Sequence, residues 1–159
     1  MKRRRLVALA AFAGVTAAAA VAGSIPTAKR LSSPWYALLR KPRWQPPKQL
    51  FGPVWTALYA TIALSGFAVW SAPRSPERTR ALTLWGTQLA ANAAWSWLFF
   101  GAKSPKAGLA DLGVLVPSIA LYANAARKVS PGAAWLVAPY LGWTCFATAL
   151  NGAIVLKNG

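Results

Sequence analysis

The feature that most constrains this chain is a succession of five long apolar runs, at about residues 6–25, 51–71, 81–100, 108–126 and 132–155, nearly free of Lys, Arg, Asp and Glu. The hydrocarbon core of a bilayer is about 30 Å thick and takes roughly 20 mostly apolar residues per helix, which these lengths match. Membrane strands would give short segments of alternating polarity, whereas these runs are continuous and rich in Ala and Leu. The sequence therefore predicts an all-α fold: a multi-pass integral membrane bundle of five transmembrane helices. It forms one domain over residues 1–159, with a long loop at about 26–50 between the first two spans.

Charge supports the same class. The chain has 18 Lys and Arg against 2 Asp and Glu, a net charge of +16, yet only 13% of its residues are charged and 56% are hydrophobic. A soluble domain averages about 25% charged. So basic a chain with interleaved aromatics would suit a nucleic-acid groove, but the cations fall between the apolar runs, where membrane proteins place them against headgroups. Membrane lipid is the expected partner and nucleic acid is not. There is no histidine, which removes the usual general base, the commonest metal and haem ligand, and the Ser/His and Cys/His pairs. Cys145 alone makes neither a disulfide nor a zinc site, and the only carboxylates are Glu77 and Asp111. No catalytic group, metal site or required cofactor is expected.

The first run poses an ambiguity. Lys2 to Arg5, an Ala-rich stretch and Ala20-Val21-Ala22 have the build of a cleavable signal peptide, but the apolar stretch from Leu6 to about Ile25 exceeds the core of about 7–15 residues that such peptides carry. It is expected to remain as a first helix. Counting Lys and Arg in alternate loops gives nine against nine, so the positive-inside rule assigns no orientation.

The loop at 26–50 holds Trp35, Tyr36, Trp44, six cations and a series of prolines, and loops of this length in compact proteins are usually functional. Its sequence Pro34-Trp35-Tyr36-Ala37-Leu38-Leu39-Arg40-Lys41-Pro42-Arg43-Trp44-Gln45-Pro46-Pro47, followed by Phe51-Gly52-Pro53-Val54-Trp55-Thr56-Ala57-Leu58-Tyr59, resembles the signature of the tryptophan-rich sensory protein family, also called translocator protein or peripheral-type benzodiazepine receptor. The resemblance continues through Gln88 to Trp95, Phe99 to Ala102, Asp111, Pro139 to Trp143 and Phe146 to Asn151, covering about residues 30–155 in family order. It implies a five-helix membrane bundle whose first loop folds over a pocket for porphyrins, other tetrapyrroles, sterols or drug-like aromatics. It also implies a homodimer built through the third helix, where Gly86, Ala90 and Ala94 have the small-residue spacing that lets helices approach closely.

The residues agree with a pocket. Trp55 and Tyr59 share one face of the second span, and Gln88, Asn92, Trp95 and Phe99 form a single-face stripe on the third. Trp143, Ala147 and Leu150 do the same on the fifth, flanked by Phe146. Amides in hydrocarbon are costly unless paired, so Gln88 and Asn92 should face the interior. They can equally serve as interhelical hydrogen bonds that hold the bundle. Trp70 and Trp85 read as interfacial anchors. Asp111, an intramembrane acid, is expected near the start of the fourth helix, stabilised by its dipole and paired with Lys103 or Lys106.

For a porphyrin, Tyr36, Trp44 and the helix aromatics would stack on the ring, while Arg40, Lys41 or Arg43 in the lid would meet a propionate. With so few axial ligands available, porphyrin or weakly held haem is expected as a ligand rather than iron-ligated haem. The family's sterol pattern on the fifth helix lacks its tyrosine here, since Leu150-Asn151 is followed by Gly152-Ala153. Two further function classes stand beside binding or transport: light-dependent porphyrin degradation, with Trp55 and Trp143 as participants, and a membrane stress-regulator scaffold.

Overall fold

The structure is a computed structural model that describes residues 2–159. It contains helices α1 (Lys2–Arg30), α2 (Pro34–Leu38), α3 (Lys48–Ser71), α4 (Pro76–Ser96), α5 (Pro105–Val129) and α6 (Pro131–Asn158), with a π-helical turn, Trp97–Gly101, prolonging α4. No strand occurs among the described residues. Four of the six helices begin on the dipeptide Ser-Pro. Proline at the first helical position forgoes an N–H that would have no partner, and the preceding serine offers an oxygen to an orphan amide. Ser33, Ser75 and Ser104 accept in this way from the amides of Tyr36, Arg78 and Ala107 at 3.4, 3.1 and 3.1 Å.

The helices overrun the apolar runs because hydrocarbon length limits the run, whereas the helix continues until a proline-rich segment interrupts it. The expected loop at 26–50 is correspondingly shorter. Its beginning is the last turns of α1 and its middle is α2, leaving irregular chain only at 31–33 and 39–47. Four helices are long and apolar enough to cross a membrane: α1, α3, α5 and α6. The fifth long helix, α4, is more polar, with Glu77, Arg78 and Arg80 at its start and Gln88 and Asn92 buried in its middle.

The five long helices form a closed ring in which α1 lies beside α3 and α4, α6 beside α3 and α5, and α5 beside α4. The end where α1 and α4 begin is sealed. There Ser65 on α3 donates to Ala133 O at 2.7 Å and shares a 2.6 Å hydrogen bond with Tyr122 on α5, all three residues buried. Trp85 belongs to this seal, which corrects the expectation that it anchors at the interface. Its ring is 6% exposed, its indole N–H donates to Ile62 O at 2.9 Å, and Phe12 meets it edge-on at 4.9 Å. The approach is close enough to require glycine at position 66, where a Cβ would lie 2.6 Å from Trp85 Nε1. Trp70 does sit at the helix end, stacked on Phe67.

Candidate functional site

Towards the other end the ring surrounds a cavity of about 300 Å³ between α1, α3, α4, α5 and α6. Trp55 and Tyr59 line it from α3, Asn92 and Trp95 from α4, and Trp143 and Ala147 from α6. Trp55 and Tyr59 pack against each other at 5.4 Å with their planes tilted by 33°, and Trp55 meets the buried Tyr140 edge-on at 6.3 Å. The polar atoms of this wall are largely paired with one another. The Tyr59 hydroxyl donates to Asn92 Oδ1 at 2.7 Å, and the Trp95 indole donates to Asn151 Oδ1 at 3.3 Å. Asn151 is fixed in turn by donating to Pro105 O at 2.7 Å, so one amide ties α4 and α6 to the start of α5.

The remaining sequence candidates lie around the cavity. Gln88 is completely buried one turn below Asn92 and donates to Trp85 O at 2.9 Å, while its Oε1 has no hydrogen-bond partner. Phe99 and Leu150 are buried in a second aromatic cluster with Tyr36 and Phe100, beneath the loop. Phe146 stands between Trp143 and Trp44, at 5.5 and 5.8 Å, and Trp44 itself is half exposed. Gly86 and Ala90 lie exposed on the outer face of α4, with Ala94 partly buried.

The lid is pinned from two sides. Tyr36 packs on Phe100 at 5.5 Å and Trp35 on Phe99 at 6.1 Å. Asn158 at the end of α6 brackets Arg40, accepting from its amide at 3.0 Å and donating to its carbonyl at 2.9 Å. Lys41 is engaged inside the lid: its ammonium donates to the carbonyls of Tyr36 and Leu39 and lies 4.3 Å over the Tyr36 ring. Desolvation, reinforced by the charge of Lys48, holds the Lys41 ammonium below the usual lysine range. Burial raises the Tyr36 phenol, opposed by the hydrogen bond from Gln45. Arg43 is exposed. None of Arg40, Lys41 and Arg43 lines the cavity; the cation that does is Lys48, at the first turn of α3, donating to Leu31 O at 3.2 Å.

Sequence reasoning also missed the α1 wall, formed by Ala20, Gly23, Ser24 and Thr27 and continued by Leu31 just past the helix. Asp111 departs from expectation too. It lies in the second turn of α5, past the reach of the helix-end dipole, with Oδ2 buried and without a hydrogen-bond partner, while Lys103 and Lys106 are exposed. Among the described residues no cluster of three or more metal-ligating side chains occurs.

Comparison with known proteins places this architecture. The model of the TspO/MBR family matches residues 10–156. The chain is 39% identical over 142 residues to the tryptophan-rich protein TspO of Archaeoglobus fulgidus, covering 86% of this chain and 88% of that protein. It is 38% identical over 156 residues to the tryptophan-rich protein TspO of Chlorobaculum tepidum, covering 98% of each. To the translocator protein of Homo sapiens it is 40% identical over 126 residues, 78% of this chain and 75% of that one. With a match that spans nearly its whole length and four helices able to cross a bilayer, the chain belongs to the TspO/MBR family of membrane proteins.

Proposed function

We propose that this membrane protein binds a planar tetrapyrrole, such as a porphyrin, in the cavity beneath the lid, with α4 serving as a fifth membrane span. The observation that carries the reading is the cavity wall: Trp55, Trp95 and Trp143 come from three different helices onto one mostly apolar space, with Lys48 as the single lining cation among the described residues. Aromatic faces suit a flat conjugated ring, and a cation at the mouth suits a propionate. The volume is at the lower end of the range for small-molecule sites, so a macrocycle enters by one edge and keeps its acidic edge outside, beneath the lid. The position of α4 between α1 and α5, with Gln88 and Asn92 turned inward, supports its crossing with them.

The test is titration of the detergent-solubilised protein with protoporphyrin, read by quenching of tryptophan fluorescence. Trp55→Ala and Trp143→Ala are each expected to weaken binding about tenfold, from the loss of a stacking contact, with the thermal unfolding transition retained. Unchanged titration curves in both variants would remove the proposal. Both tryptophans lining one cavity is also what favours light-driven porphyrin degradation as a second reading. That activity requires an absorbing product formed only under illumination and lost in Trp143→Phe.

A further inference from the structure

The sealed end of the bundle carries a second arrangement that the cavity does not use. There α1 begins, α3 ends and α4 begins, and Phe67 and Trp70 stack at 6.1 Å with their planes 20° apart. Three guanidinium groups converge on this pair. Arg4 and Arg78 each lie 5.8 Å from the Trp70 ring centre, and Arg5 lies 6.0 Å from that of Phe67. Like charges gathered on one aromatic platform repel, and the chain offers them little relief. The acid nearest in sequence, Glu77, is exposed. Arg78 Nε is buried and has no acceptor. Arg74 and Arg80 flank the same corner, and Arg127 and Lys128 close α5 at the same end of the bundle.

The surroundings favour an amphipathic anion. The platform lies in the last turns of α3, where an apolar span gives way to polar chain. Immediately along α1 from the arginines, Leu6 and Val7 are 66% and 62% exposed, an apolar wall at the depth where acyl chains start. Basic clusters at this depth attract anionic headgroups, and guanidinium matches phosphate oxygens in a fork. We propose that Arg4, Arg5 and Arg78, held around Trp70 and Phe67, form a binding site for the phosphate of an anionic phospholipid.

The test uses the full chain in neutral detergent, titrated with phosphatidylglycerol or phosphatidylcholine and read by native mass spectrometry as retained lipid. Phosphatidylglycerol is expected to be retained and phosphatidylcholine lost. Arg4→Gln with Arg78→Gln should weaken retention about 25-fold, at about fivefold per arginine, while Lys29→Gln with Lys157→Gln, an equal charge loss at the other end, should change it less than about twofold. Equal weakening by the two pairs overturns the proposal, as does equal retention of both lipids. Displacement by inorganic phosphate at the lipid's own concentration would do the same, since a free anion would then be the ligand. Should the glutamine pair not fold, Trp70→Leu removes the platform with the charges kept, and undiminished retention in that variant also overturns the site.

Discussion

Replacing Lys48 by Gln separates a ligand held by shape from one held also by charge. Lys48 is exposed, lines the cavity and donates only to the Leu31 carbonyl, at 3.2 Å. A propionate at the mouth would exchange that neutral acceptor for an ionised one. A hydrogen bond to a charged group contributes about 1.5–3 kcal/mol when shielded, whereas an exposed ion pair contributes about 0.2–1 kcal/mol. Lys48 belongs near the upper end of the exposed range, about 1 kcal/mol, or roughly fivefold in Kd. The assay is fluorescence titration with protoporphyrin and with its dimethyl ester, whose ring is the same and whose carboxylates are blocked. Lys48→Gln should weaken the diacid about fivefold and leave the diester unchanged, with the gap narrowing as salt rises, because exposed charges are screened over about 10 Å at 0.1 M. Lys41→Gln and Arg43→Gln should not reproduce the effect, since Lys41 is engaged by lid carbonyls and Arg43 is exposed and does not line the cavity. Equal loss for diacid and diester, or a larger loss in Arg43→Gln, would refute the assignment of Lys48 as the ligand's cation.

Three further outcomes follow from the same geometry. Gly66→Ala would drive a methyl to 2.6–2.8 Å from Trp85 and Phe12; overpacking of about 1–3 kcal/mol, with strain on the Trp85–Ile62 hydrogen bond, should appear as a lowered unfolding midpoint in mixed micelles, and an unchanged midpoint would contradict the seal. Asn158→Ala removes both hydrogen bonds that bracket Arg40, at about 0.5–1.5 kcal/mol each, so amide exchange should accelerate at 34–47 and not in α5. The raised Tyr36 phenol gives the docked lid a pH limit: the docked form keeps its proton where the undocked form has lost it, so docking is fully present below the ordinary tyrosine value of 10.0 and is lost as pH rises through and above it. Hydrogen exchange of the lid should show this alkaline release in the parent chain and lose it in Tyr36→Phe.

How much of this was legible in the sequence depends on whether a residue's role follows from its own helix. Trp55, Tyr59, Asn92, Trp95, Trp143 and Ala147 were readable because helical periodicity fixes which side chains share a face, and the cost of an unpaired amide in hydrocarbon fixes which way that face turns. The α1 wall has a comparable spacing, at Ala20, Gly23, Ser24 and Thr27. In a helix where alanine occupies every face, however, small residues give no contrast, and a cavity wall made of small residues is visible only once its neighbours are in place. The lid cations could not be told apart in this way, for a different reason. Arg40, Lys41, Arg43 and Lys48 are equivalent as charges in a loop, and what separates them is where α3 starts and which carbonyls the turn leaves unbonded.

The same distinction accounts for Trp85 and Asp111. A tryptophan near a helix start and an acid near a helix start both carry an interfacial expectation taken from position along the chain. Position in the bundle overrules it. Phe12 and the glycine at 66 open a slot that draws Trp85 into the core, where its indole N–H finds the Ile62 carbonyl. Asp111 is carried inward by the early start of α5 at Pro105, which places it in the second turn instead of the first. The two departures have separate physical origins: a Ser-Pro cap sets Asp111 a turn deeper along its helix, and a missing Cβ on a neighbouring helix makes room for the Trp85 ring inside the bundle. Sequence marks such as Ser104-Pro105 and Gly66 are therefore the places where a reading based on apolar runs alone should be corrected first, before any role is assigned to the aromatic or acidic residues that follow them.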